Sequence, residues 1–65
     1  MNAQQKAQER KRLLDGLAIK GIIQGKVERE LTEAKIIEIE TSGASRQKQV
    51  KAFSDFISVL QNNRQ

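Results

Sequence analysis

The alternation of apolar and polar residues over residues 26–41 decides the predicted fold. Residues 37–41, with the sequence IEIET, follow the two-residue period of a half-buried strand. Val27, Arg29 and Leu31 alternate in the same sense, with Arg29 at a position where an apolar residue is expected. Isoleucine and valine also favour strands, because their branched side chains restrict χ1. The pattern predicts a β-hairpin over residues 26–41, with residues 32–35 as its connection.

The same stretch also fits a helix, and the sequence leaves this alternative open. Thr32 would be the N-cap, Glu33 would open the first turn, and Gly43 would follow the last turn. The connection at residues 32–35 contains no glycine or asparagine, so its turn signal is weak. If the stretch is helical, the chain forms an all-α three-helix bundle that contains a helix-turn-helix.

Two helices flank this stretch. Residues 3–24 are rich in good helix formers and place Leu14, Leu17 and Ile22 on one face, and Gly25 suits the end of such a helix. Residues 45–61 form the second helix, which Ser45 caps. Its apolar residues follow the i, i+3, i+4, i+7 spacing of an amphipathic helix: Val50, Phe53, Phe56, Ile57 and Leu60.

The predicted fold class is therefore α+β, a helix–β-hairpin–helix domain that spans residues 1–65. The three parts are the basic N-terminal helix 3–24, the hairpin 26–41 and the C-terminal amphipathic helix 45–61. The predicted core takes one apolar face from each part: Leu14, Leu17, Ile22, Val27, Leu31, Ile37, Ile39, Val50, Phe53, Phe56, Ile57 and Leu60.

The chain contains no cysteine and no histidine, which excludes a conventional catalytic triad and a thiolate or imidazole zinc site. We therefore predict no enzymatic activity, no cofactor, no metal site and no small-molecule substrate. Four acidic residues share one face of the predicted hairpin, and we interpret them as a solvated or docking face rather than a metal or catalytic site: Glu28, Glu30, Glu38 and Glu40.

The net charge of +4 points to an acidic partner, and nucleic acid is one such partner. Such contacts would reach phosphates without recognising a base sequence. The candidates lie on the first helix and at the start of the last: Lys6, Arg10, Lys11, Arg12, Arg46, Lys48 and Lys51. No apolar run approaches the roughly 20 residues of a membrane span, so we expect no membrane partner and a location in the cytoplasm or in a virion.

Ile19 and Ile23 lie away from the apolar face of the first helix. The hairpin or the last helix could cover them, or they could form a contact with another subunit. A 65-residue chain without disulfides or metals is near the lower limit for folding alone. We therefore expect a homo-oligomer or a protein partner, with Ile19 and Ile23 as the candidate interface.

The succession of Ile22-Ile23-Gln24-Gly25-Lys26, two alternating runs and a capped amphipathic helix resembles a known family. It is similar to the small head-completion proteins of tailed phages, the W type of the lambdoid phages. The resemblance covers residues 13–60 and implies a non-enzymatic protein in many copies at the capsid portal. Such a protein would bridge head and tail and retain the packaged DNA.

The alternative function is that of a small transcriptional regulator. Residues 43–46 before an amphipathic helix are similar to the turn and recognition helix of small helix-turn-helix repressors. Arg46, Gln47, Lys48 and Lys51 would then face the major groove of DNA.

Overall fold

Three α-helices of 17 residues each make up the structure, a computed structural model that describes residues 2–64. They are α1 (Ala3–Ile19), α2 (Gly25–Thr41) and α3 (Arg46–Asn62). Residues 2–64 contain no β-strand. The α+β prediction is therefore wrong, and the fold is all-α, with a helix in place of the hairpin.

The helix over residues 25–41 follows a longer period than the local alternation. Thr32, Ile36 and Ile39 recur at i, i+4 and i+7, and this stripe faces the rest of the protein, with Thr32 and Ile36 buried. Ile37, which the hairpin placed in the core, is 42% exposed. The alternation of residues 37–41 covers too few residues to outweigh a helical stripe over the whole segment.

The first helix ends five residues earlier than predicted, at Ile19. Gly21 takes a positive φ of 76°, which glycine adopts without the steric penalty of a Cβ. Its N–H donates to the carbonyl oxygen of Ala18 at 3.1 Å, and the N–H of Ile22 donates to that of Leu17 at 2.9 Å. These two bonds define a Schellman motif, which turns Ile22 and Ile23 back towards the core.

The helices run antiparallel, with α2 in the middle. Two ion pairs join α1 to α2, Arg10–Glu40 at 3.0 Å and Arg29–Asp15 at 2.7 Å. A short loop joins α2 to α3, and Arg64, just past α3, reaches back to Glu28 near the start of α2. Among residues 2–64, α2 packs against both neighbours, whereas the backbones of α1 and α3 stay apart.

The core is small. Leu14, Ile23 and Ile36 are its buried apolar residues. Thr32 is also fully buried, and its hydroxyl donates to the carbonyl oxygen of Glu28 at 2.7 Å, so burial leaves the hydroxyl satisfied. Partly buried residues complete the cluster: Leu17, Ile22, Phe53, Ile57 and Leu60.

The core prediction is confirmed in part. Leu14 is buried as predicted, and the five partly buried residues of the cluster were all in the predicted set. Ile23, Ile36 and Thr32 were missed, because their positions depend on where α1 ends and on α2 being helical. The prediction was wrong for four residues that are exposed: Val27, Leu31, Ile37 and Val50.

None of the helices in the described part of the chain is long and apolar enough to cross a membrane.

Candidate functional surfaces

The two isoleucines of the predicted interface lie in opposite environments. Ile19, at the end of α1, is 85% exposed, as a contact residue must be. Ile23 is only 2% exposed and belongs to the core. The Schellman turn after α1 produces this difference, because it reverses the chain between them. The interface prediction for Ile23 is therefore wrong, and only Ile19 remains available to a partner.

The four glutamates of the predicted hairpin face do not form a cluster. Helical geometry directs them to different sides of α2, and each meets its own cation. Glu30 pairs with Lys26 at 3.9 Å and Glu38 with Lys35 at 3.3 Å. Glu40 pairs with Arg10, and Glu28 with Arg64. Within residues 2–64, no group of three or more acidic residues is placed to hold a metal ion.

The antiparallel topology gathers the predicted basic contact residues at one end of the bundle. The starts of α1 and α3 and the end of α2 meet there. We define this basic half as residues 2–13 and 34–56, and the neutral half as residues 14–33 and 57–64. The basic half carries eight basic and four acidic side chains, and the neutral half carries four of each. The whole net charge of +4 therefore lies in the basic half.

The basic side chains differ in how freely they can meet a partner. Arg10 is half-buried and held by Glu40, so it is a structural residue as well as a candidate contact. Lys51 pairs with Asp55 at 3.2 Å on the surface of α3. The remaining candidates are exposed: Lys6, Lys11, Arg12, Arg46 and Lys48. Lys51 is exposed as well, so six of the seven predicted residues present exposed charge at the same end.

An apolar surface crosses from α2 to α3. Lys35, Ala52, Asp55, Phe56 and Val59 line a shallow groove between the two helices. Leu31 lies one turn from Lys35 and Val27 one turn further, both exposed on the same side of α2. We call this surface the apolar face and define it as Val27, Leu31, Ala52, Phe56 and Val59.

The solvent-accessible area is large for a chain of this mass. It is 5064 Å², whereas a folded monomer of 7.4 kDa is expected to expose about 4,200 Å². Two features contribute to this excess of about 850 Å²: residues 2–9, at the start of α1, are exposed on every side, and large apolar side chains are left uncovered. The second feature marks a surface that a partner could cover.

Arg64, just past the end of α3, joins three segments of the neutral half. Its guanidinium donates to both carboxylate oxygens of Glu28, at 2.6 and 3.0 Å. It also donates to the carbonyl oxygens of Gly21 and Ile22, the first at 3.4 Å. One side chain therefore fastens the end of α3 to the α1–α2 turn and the start of α2. The periodicity of apolar residues does not predict this role, because Arg64 lies beyond the last apolar residue of the chain.

We call these contacts of Arg64 with Glu28, Gly21 and Ile22 the clasp, and they make the stability of the protein depend on the charge of Glu28. The hydrogen bond from Arg64, with that from the backbone of Gln24, lowers the pKa of Glu28 below its ordinary value of 4.5. Ionised Glu28 therefore stabilises the fold. This stabilisation is fully present at a pH above the ordinary pKa, and it is lost as the pH falls through the lowered pKa of the folded protein.

We predict that Glu28→Gln lowers the melting temperature at pH 7 and that the difference from the native chain vanishes in acid, where Glu28 itself is neutral. Thermal unfolding monitored by circular dichroism from neutral to acidic pH measures this. Glu30→Gln is the control, because its pair with Lys26 is long and exposed, and it should have little effect at any pH. An equal loss in both variants, or a pH-independent loss in Glu28→Gln, contradicts the role of the clasp.

The arrangement of α2 and α3 is not that of a DNA-binding helix-turn-helix, whose helices cross at about 90–120°. Each helix is about 25 Å long, so such a crossing would separate their far ends by about 25–35 Å. The contact between Arg64 and Glu28 instead brings these far ends together. The structure therefore gives no support to Arg46, Gln47, Lys48 and Lys51 as a recognition-helix surface.

Comparison of the chain with protein families, with curated proteins and with solved structures found no match.

Proposed function

We propose that this protein is a non-enzymatic assembly protein that associates with a second copy of itself through the apolar face. The exposure of its large side chains carries this proposal: Val27 is 69% exposed, Val59 58% and Leu31 52%. The three buried apolar residues form too small a core to account for the apolar residues of the chain.

A second copy suits the apolar face for reasons of charge. Val27, Leu31 and Val59 lie in the neutral half, where two copies can meet with little like-charge repulsion. The groove is bordered by both Lys35 and Asp55. A two-fold interface places the same patch on both chains, so Lys35 of one copy can approach Asp55 of the other.

The resemblance to head-completion proteins belongs to the same class of function and stays a prediction. It rested on a hairpin over residues 26–41, where the structure has α2. The proposal therefore rests on the uncovered apolar surface alone, and it specifies association between copies rather than a place in a capsid. A location in the cytoplasm or in a virion is compatible with it.

Val59→Glu tests the proposal against a closely matched control, Val50→Glu. Both valines are 58% exposed and lie on α3, nine residues apart, which places them on opposite sides of the helix. A two-fold interface would bury the new charge in both copies. At a cost of about 1.4 kcal/mol in each copy, we expect the dimer of Val59→Glu to dissociate with a constant at least about a hundredfold larger. Val50→Glu should associate like the native chain.

Sedimentation equilibrium from micromolar to millimolar concentration measures both variants, and circular dichroism verifies that each remains helical. The native chain should approach twice its mass of 7.4 kDa. A native chain that stays at 7.4 kDa throughout, or equal weakening by the two variants, overturns the proposal.

A further inference from the structure

We infer that the basic half is a binding surface for the phosphodiester backbone of nucleic acid, independent of base sequence. This inference goes beyond self-association and does not depend on it, because the surface lies in each chain separately. Its basis is the separation of charge produced by the fold: the basic half holds the entire net charge of +4, and the neutral half holds none.

The exposed cations come from two helices that begin at the same end. Lys6, Lys11 and Arg12 project from α1, and Arg46 and Lys48 from the first turn of α3. Neither helix has an acidic residue in its first turn, so the partial positive charge of each N-terminus adds to the side chains. A polyanion at this end therefore meets charge from two helices rather than one.

The chemistry of this surface favours phosphate over an acidic protein. Alanine is the only apolar residue type in residues 2–12, so a protein partner would find little to bury along the exposed start of α1. Lysine is depleted at protein interfaces, whereas lysine and arginine contacts to phosphate dominate sequence-independent nucleic-acid binding. Phe53 and Phe56 are the only aromatic residues, and both are partly buried on α3, so stacking on bases contributes little.

The antiparallel bundle also limits what this surface can recognise. The far ends of α2 and α3 are fastened by Arg64 and Glu28, so α3 does not project as a recognition helix. Contacts from the ends of α1 and α3 reach phosphates and carry no base information. We therefore expect similar affinity for unrelated sequences of the same length.

Two double variants with the same net charge test the inference. Lys11→Gln with Lys48→Gln removes two exposed charges from the basic half, and Lys20→Gln with Lys26→Gln removes two from the neutral half. Each leaves a net charge of +2, so a general charge effect would be equal in both. Affinity is measured by fluorescence anisotropy at several salt concentrations, with duplex DNA, single-stranded RNA and polyglutamate as separate probes.

We expect the basic-half variant to lose about 0.9 from the slope of log affinity against log salt for each phosphate contact removed from duplex DNA. The neutral-half variant should keep the native slope. The inference is supported if DNA or RNA binds the native chain more tightly than the basic-half variant. The nucleic acid with the higher affinity, DNA or RNA, is then the natural ligand. Equal weakening by the two variants, or polyglutamate bound as tightly as nucleic acid of equal charge, overturns it.

Discussion

Ile23→Gln is expected to unfold most of the protein, whereas Ile19→Gln leaves it folded. Ile23 is 2% exposed and packs with Leu14 and Ile36, so its replacement removes apolar contacts worth about 2–5 kcal/mol and leaves a buried amide without a partner. A 65-residue domain has about 3–10 kcal/mol of stability in total. Ile19 is 85% exposed, and its replacement should change stability by about 0.5 kcal/mol or less.

Urea denaturation of the two variants measures this difference directly. The two residues are of the same type and lie four positions apart, so composition and net charge are matched. If α1 continued through residue 24, the side chains would lie one helical turn apart on one face and the variants would behave alike. Equal stability of the two variants would therefore contradict the Schellman turn at Gly21.

Ala34→Pro is expected to cost about 3 kcal/mol or more, because residue 34 lies in the middle of α2. Proline there removes a helical hydrogen bond and its ring clashes with the preceding turn. Ala34 is exposed, so little of this cost comes from packing. In a β-hairpin, residue 34 would lie in the connection, where proline is often tolerated.

The control for this variant is Arg46→Pro. Arg46 is the first residue of α3, where the N–H lacks a helical partner and proline is well accommodated. Ser45 before it already has extended backbone angles, φ −63° and ψ 161°, which suit a residue that precedes proline. Thermal unfolding should therefore show a large loss for Ala34→Pro and a small change for Arg46→Pro. A small change in both variants would argue that residues 26–41 are not helical.

The sequence predicted the outer parts of the fold better than its centre. The last helix follows a regular apolar spacing behind a capping serine, and the structure confirms it, with the Lys48 N–H donating to the Ser45 hydroxyl at 3.4 Å. For α2, the prediction of a hairpin gave more weight to the strand preference of isoleucine and to the alternation of residues 37–41 than to the helical spacing of a few buried residues. One of these buried residues is Thr32, whose hydroxyl donates to a carbonyl oxygen of its own helix. A hydropathy pattern does not predict this burial, because threonine counts as a polar residue.

The candidate surfaces were predictable in their residues but not in their arrangement. The basic residues could be named from the sequence, whereas their meeting at one end depends on the antiparallel order of three helices. The apolar face was missed because Val27 and Leu31 were assigned to the core. Arg64 was missed because its partners, Glu28 and the carbonyl oxygens after α1, lie far away in the chain.

We propose different roles for two surfaces of this small protein: phosphate binding at the basic half and association between copies through the apolar face. An isotope-filtered nuclear Overhauser experiment on an equal mixture of labelled and unlabelled chains tests the association most directly. We expect contacts between chains at the methyl groups of Leu31 and Val59 and the ring of Phe56. The absence of any contact between chains at millimolar concentration, or contacts confined to Val50 and Ile19, would contradict it.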